Sequence, residues 1–217
     1  MTEILPIPFN GLCGNCYLLK NGDNYVLVDT ALRSKRRRLE EKLDEHGCTP
    51  GKLKLIVLTH GDFDHSGNAH YLRSKYDCPI GMHPADEIIT EKGNMFLNKN
   101  KQNKVLDLLT RKFMNIDTFT PDVYLEDNAD LNDYGIDAKI IHLPGHSAGS
   151  IGVLTAKHQL ICGDLFENRR KPGVYFPDDK DGVARSIEKL RHQNILEIYP
   201  GHGKKFLFSE LKDIFNN

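Results

Sequence analysis

The segment Thr59-His60-Gly61-Asp62-Phe63-Asp64-His65-Ser66-Gly67 packs four residues of metal-ligand type, His60, Asp62, Asp64 and His65, into six positions. Carboxylate oxygen and neutral imidazole nitrogen together suit zinc, iron or manganese. At a strand-to-helix junction His60 and Asp62 can face one way and Asp64 and His65 another, an arrangement that serves two metal ions. A competing reading makes Asp64 or Ser66 the N-cap of the next helix, because their oxygens accept from the orphan N–H groups of a first turn. The histidines are then incidental.

The rest of the chain decides between the two. YVLV runs into Asp29, KLIVLT into His60, AKIIHL into Pro144-Gly145-His146, QLICG into Asp164, and ILEIY into Pro200-Gly201-His202. One acid after a strand is ordinarily a turn or cap residue. Five apolar runs that all end in Asp or His are what a site on loops at the exits of a rigid sheet requires.

Those runs read as strands of a mixed α and β domain, alternating with amphipathic, charge-laced stretches. Residues 15–20 and 24–29 flank Asn21-Gly22-Asp23, a turn tolerant of positive φ, so a hairpin opens the domain. Residues 33–46 read as a surface helix with Ser34 as N-cap and Gly47 as its stop. Glu40, Glu41, Asp44 and Glu45 make its arginine run a solvated face rather than a phosphate site. Further strands are expected at 53–58, 78–82, 136–143, 151–155, 159–162 and 195–199. Helices are expected from Ser66 to Lys75, over 179–193 and near the C-terminus. Residues 92–113 stand apart, with Val105, Leu106, Leu108, Leu109 and Phe113 at helical spacing, as a helix packed on the core or a flap over a pocket. Lys92 to Lys112 carries six basic residues and one acid, whereas Asn115 to Asp137 carries seven acids and no base. Such opposed blocks could pair with each other.

The chain has 217 residues, within the size of one domain, so 1–217 is read as a single domain. Lys plus Arg is 29 and Asp plus Glu is 30, a net charge of -1, so nothing global draws it to nucleic acid or an anionic membrane. No apolar stretch approaches the ~18 residues of a membrane span. MTEILPIPFN has an acid and two prolines where a signal peptide has a basic stretch and an apolar run, which leads to the expectation of a cytoplasmic protein. Five cysteines, an odd number, fit a reducing compartment better than a disulfide framework. Cys13-Gly14-Asn15-Cys16 has no second CxxC to complete a zinc site; these cysteines, like Cys162, are expected to be packing.

In this order along the chain, the hairpin ending in VDT, then LTHGDFDHSGN, PGHSAGS, CGD and YPGHG, resemble the metallo-β-lactamase superfamily. The resemblance spans essentially the whole sequence. It implies an α/β (α+β) fold, a four-layer αββα sandwich with two facing sheets and outer helices, and a dinuclear metal centre at one edge. Carried over position by position, it implies His60 and His146 at a first metal, Asp64, His65 and His202 at a second, and Asp164 bridging. Asp29 matches an acid that orients a ligand from behind. One position departs: the family pattern has His two residues after the first histidine, and here that residue is Asp62. A carboxylate is harder and adds negative charge, which shifts preference from zinc toward iron or manganese. An acidic residue is also found there in the flavodiiron branch. Asp62 is still expected as a ligand, and two divalent ions, zinc first, are the expected cofactors.

The implied reaction is hydrolysis of a small ester-like substrate, a thioester or lactone, by a metal-bound hydroxide, with Asp64 orienting it as well as binding metal. The core is of glyoxalase II-like size. Alternatives are a di-iron redox protein of the flavodiiron type without its flavin domain, a phosphodiesterase, and a metal-stabilised binding module. The partner is then a small molecule, an anionic one if Arg169, Arg170, Lys171, Lys204 and Lys205 form a basic rim with Tyr175 and Phe176 at the mouth. Arg169, Tyr175 and Lys204 are the candidates for substrate contact. His70, His83 and His142 match no ligand position, although His83-Pro84 could line the pocket.

Overall fold

The computed structural model describes residues 1–97 and 117–211. Strands β1 (Glu3–Ile7), β2 (Cys16–Asn21), β3 (Asn24–Val28), β4 (Leu53–Val57), β5 (Ile80–Met82) and β6 (Val123–Tyr124) form a six-stranded sheet in chain order. Its first three strands are antiparallel and the rest join in parallel. Parallel neighbours need crossovers, and these carry α1 (Arg36–Glu45), α2 (Phe63–Ser66) and α3 (Ala69–Tyr76); α4 (Glu87–Lys92) follows β5. The second sheet contains β7 (Ala138–His142), β8 (Ile151–Thr155), β9 (Gln159–Ile161), β11 (Glu197–Tyr199) and β13 (Phe206–Leu207), ordered β13-β11-β9-β8-β7. Between β9 and β11 the chain passes through β10 (Glu167–Asn168) and α5 (Lys180–Arg191). β10 pairs in parallel with β12 (His202–Gly203).

Side-chain alternation assembles the layers. Leu19, Val26, Val28, Leu55 and Val57 of the first sheet meet Ile140, Ile151, Val153 and Ile161 of the second. On the other face of the first sheet, Leu18, Leu27 and Ile56 pack on Leu39 and Leu43 of α1 and Leu72 and Tyr76 of α3. Ile141, Leu154, Leu160 and Ile198 turn from the second sheet to Val183, Ile187 and Leu190 of α5. Helix, sheet, sheet and helix make the αββα sandwich. Strands covered on both faces read as nearly continuous apolar runs, which is why β2, β3, β4 and β8 stand out in the sequence.

Several local expectations change. Ser34 does not cap α1: residues 33–35 form a 3-10 turn, and Lys35 precedes the helix with no side-chain cap. The helix expected from Ser66 to Lys75 is two, α2 and α3, broken at Gly67-Asn68. The break follows from Asn68, whose amide donates to Thr30 O at 2.7 Å and Leu32 O at 3.0 Å, anchoring the chain to the exit of β3. β1, absent from the expected strands, holds Pro6 in an edge position, where a missing donor is tolerated. The acids Asp117 and Asp122 pair with Arg33 and Arg73 on the helical face. Most of 92–113 lies outside the described residues. Among the described residues no helix is long and apolar enough to cross a membrane.

Candidate metal centre

The strand exits converge at one edge of the sandwich. His60, His146 and Asp164 place ligand atoms within 4.8 Å of one another, and so do Asp64, His65 and His202. Asp164 belongs to both neighbourhoods: Oδ1 lies 3.3 Å from His65 Nε2 and Oδ2 lies 3.4 Å from His202 Nε2. Asp62 Oδ2 joins the first group, 3.2 Å from His146 Nε2 and 3.9 Å from His60 Nε2. Asp64 Oδ2 sits 3.1 Å from His202 Nε2 and 3.6 Å from His65 Nε2. The N-cap reading is overturned: Asp64 and Ser66 lie inside α2, and Asp62, the residue before it, makes no side-chain cap bond.

These residues fit a pair of divalent ions. His60 Nε2, His65 Nε2 and Asp164 Oδ1 are buried and make no hydrogen bond, although they face the same cluster. A buried unsatisfied polar atom costs roughly 1–3 kcal/mol, and three converging at one place are what a cation would satisfy. The donor set, four imidazoles with the carboxylates of Asp62, Asp64 and Asp164, is of the right kind.

Hydrogen bonds behind the cluster fix the imidazole tautomers. Asp29, 1% exposed, accepts from Thr59 N and Thr59 Oγ1, each at 2.8 Å, and lies 2.8 Å from His65 Nδ1. A carboxylate only accepts, so His65 keeps a proton on Nδ1 and, once neutral, turns the Nε2 lone pair inward. His146 does likewise against Phe176 O at 3.1 Å. The Thr59 hydroxyl hydrogen goes to Asp29, so His60 Nδ1, 3.0 Å away, donates to Thr59 Oγ1 and frees Nε2. Asp29 itself has φ +61, a conformation costing about 1–3 kcal/mol for a non-glycine residue; its three donors hold it there.

The sequence reading did not single out the residues that lock the ligand loops together. Asp86, fully buried after β5, accepts from Gly61 N at 3.1 Å, Ser147 Oγ at 2.7 Å and Gly149 N at 2.8 Å. It thereby ties the loop of His60 to the loop of His146. The signal was present, since Asp86 also follows an apolar strand, delayed by His83-Pro84-Ala85. Asn15 donates to Pro200 O and Gly203 O, and Tyr17 OH donates to Pro200 O at 2.6 Å, clamping the loop of His202. Two glycines permit the closeness: a Cβ on Gly14 would come within 2.5 Å of the His65 ring, and one on Gly201 would overlap Asp164 Oδ1. The CxxC segment thus serves the site through Gly14 and Asn15. Cys13, Cys16 and Cys162 are buried free thiols, and burial raises their pKa.

A cleft of about 770 Å³ opens over the cluster. Tyr175 and Arg169 line it, whereas Lys204 is not among its lining residues. His83 does not line it either; its ring stacks on His142, with centroids 4.0 Å apart and planes 5° from parallel.

Electrostatics in the metal-free chain are set by the same contacts. Burial and the neighbouring His65 and His146 hold His60 well below its ordinary pKa. Burial opposes protonation of His65, but Asp164, Asp64 and Asp29 overcome it and raise its pKa well above the usual value. His202 is likewise opposed by burial yet pushed up to about 9 by hydrogen bonds to Asp164 and Asp64. Its folded pKa exceeds the unfolded value of about 6.5. The protonated His202 therefore stabilises the metal-free chain fully below that value, and the contribution fades as pH rises through about 9. Metal binding requires neutral imidazole, so uptake must expel these protons. Calorimetric titration of zinc into metal-free protein at pH 7.5, in buffers of different ionisation enthalpy, is expected to show about two protons released per chain. Uptake without proton release would contradict protonation of His65 and His202.

The sequence model of the metallo-beta-lactamase superfamily matches residues 10–202. The chain is 28% identical, over 93% of each sequence, to a Methanocaldococcus jannaschii protein described as a probable metallo-hydrolase. It is 29% identical to the hydroxyacylglutathione hydrolase GloC of Haemophilus influenzae, over 91% of this chain and 89% of that protein. Among solved structures, that of TTHA1623 in a di-iron-bound form superposes with a TM-score of 0.72 over 96% of each chain, at 25% identity. A match running through every strand exit that supplies the His and Asp cluster places the chain in the metallo-beta-lactamase superfamily, as a metallo-hydrolase.

Proposed function

We propose that the chain hydrolyses a small ester-like substrate, a thioester before a lactone, over a dinuclear centre held by His60, Asp62, His146, Asp164, Asp64, His65 and His202. The observation that carries this reading is Asp164, whose two carboxylate oxygens reach from the neighbourhood of His60 and His146 to that of His65 and His202. When bound, a pair of divalent ions polarises a substrate carbonyl and lowers the pKa of water from 15.7 toward about 7. His60, His65 and His146 present fixed lone pairs to it because their outer nitrogens are already committed. Asp64 has 21% of its side chain exposed, against 8% for Asp164 and 5% for Asp62, so it is the most open of the three carboxylates in the cleft. We assign it the task of orienting the attacking water and accepting its proton.

The likeness to GloC supports the thioester choice. Asp62 adds a hard ligand beside His146 and moves the first position toward iron or manganese; the di-iron-bound neighbour supports the same shift. The test is metal-free protein reloaded with zinc, iron or manganese and assayed on thioesters, lactones, oxygen esters and phosphodiesters. Thioester turnover, absent before loading, is the expected result. Fully loaded protein that cleaves only phosphodiesters, or that reduces oxygen with a supplied donor and hydrolyses nothing, would sink the reading.

A further inference from the structure

We infer that the substrate carries an apolar acyl chain of roughly six to ten carbons, seated in the cleft above the metal centre, and that the site does not select for an anionic tail. This rests on the hydrolase reading above. The cleft, about 770 Å³, falls within the roughly 300–1,000 Å³ of sites for drug-sized ligands. Its ligating residues lie beneath walls that include Leu12, Leu32, Phe63, Met95, Phe96 and Phe176. Leu12 is 80% exposed and Phe176 is 65% exposed, large apolar side chains left in water at the mouth of the site. Apolar surface gathered at a concave opening, rather than scattered, marks a binding surface.

Both lips are held in place. The carbonyl of Phe176 is bound to His146 Nδ1 at 3.1 Å, so the ring stands on the same backbone that orients a candidate ligand. Beside Leu12, Gly11 O accepts from Arg169 Nη1 at 2.9 Å.

That bond also decides the charge question. Arg169 belongs to the expected basic rim, but its Nε lies 2.6 Å from Oε2 of Glu167, a carboxylate only 1% exposed. Its guanidinium ties the Leu12 lip to β10 and is neutralised by Glu167. The other cation in the lining, Lys180, shares the mouth with Asp178. Asp62, Asp64 and Asp164 at the floor are matched by the ions they hold in the loaded centre, so the walls decide the tail, and they offer an anion only Arg169, already paired, and Lys180 beside Asp178. An alkyl chain finds matching walls.

The test uses the metal-loaded full chain and N-acetylcysteamine thioesters with acyl groups of two to ten carbons, with a glutathione thioester of a hydroxy acid as the polar, anionic comparator. We expect kcat/KM to rise about two- to fourfold per added methylene until the cleft is filled, and the octanoyl thioester to exceed the glutathione thioester. Phe176→Ser and Leu12→Ser, at exposed positions where the fold is insensitive, are each expected to lower the octanoyl-to-acetyl ratio at least about fivefold. Turnover that is flat with chain length, or that is fastest for the glutathione thioester, overturns the inference and leaves the hydrolase reading standing. A non-hydrolysable octanoyl ketone analogue, titrated calorimetrically, separates the two claims. Tight binding lost in Phe176→Ser, with no turnover of any thioester, ester or lactone, would sink the hydrolase reading alone. Failure of that analogue to bind the loaded protein overturns the apolar site.

Discussion

Replacing Asp164 by alanine is expected to lower thioester hydrolysis by at least about 10³-fold, a loss of about 4 kcal/mol in transition-state stabilisation. Bound metal is expected to fall to one ion per chain or fewer. The reason is position: Asp164 offers one oxygen to the side of His65 and the other to the side of His202, and it also groups with His60 and His146. Burial alone would favour its neutral acid. His65 and His202 reverse that and hold its carboxyl well below the usual carboxylate range, so it stands as an anion where cationic charge is wanted. Asp164→Asn keeps the shape and one acceptor but not the charge, and should retain more metal than Asp164→Ala with little more activity. Elemental analysis beside the kinetics checks both statements. Two firmly held metals and wild-type turnover in Asp164→Ala would refute the bridging role.

The candidate ligand positions were legible because chemistry and fold share one pattern: a buried strand reads as an apolar run, and the residue just beyond it is where a sheet delivers a side chain to its edge. Asp29, His60, His146, Asp164 and His202 all follow that rule, and the structure brings them to one edge. Layer order was legible for a related reason, as the doubly covered strands β2, β3, β4 and β8 are continuous in apolar residues. What escaped is what depends on distant partners. Asn15 and Tyr17 act on Pro200 from more than 180 positions away, and no local pattern announces that. Asn68 breaks a helix by bonding the 30–32 backbone, overriding a run that is helical on its own periodicity. The left-handed backbone of Asp29 is imposed by Thr59 and His65 rather than by its own preference. Arg169 looked like part of a basic rim because its counter-charge, Glu167, reads as one more acid until its burial is known.

Asp86 offers the sharpest separation of holding the site from forming it, since it lines neither metal group yet ties the loops that carry both. Its buried carboxylate takes hydrogen bonds from two backbone N–H groups and one hydroxyl. Asp86→Ala strands those donors, and at roughly 1–3 kcal/mol for each unsatisfied buried group, not fully additive, the metal-free chain is expected to lose about 3–5 kcal/mol. Asp86→Asn is the more telling variant. Its amide retains one acceptor oxygen but presents N–H₂ where the other took a donor: with the oxygen in the Oδ2 position Gly149 N is stranded, and with it in the Oδ1 position Gly61 N is stranded and the tie to the His60 loop is lost. Metal affinity is expected to weaken about 10- to 100-fold, the range found when residues supporting metal ligands are altered. Ser147→Ala removes a single donor and should cost about 1 kcal/mol of stability with a smaller change in metal affinity. Denaturant unfolding of the metal-free proteins and chelator competition on the loaded ones measure the two effects apart. Wild-type metal affinity in a folded Asp86→Asn variant would show that the loops of His60 and His146 keep their spacing without this carboxylate, and that the ligand shell is set by the sheet edge alone.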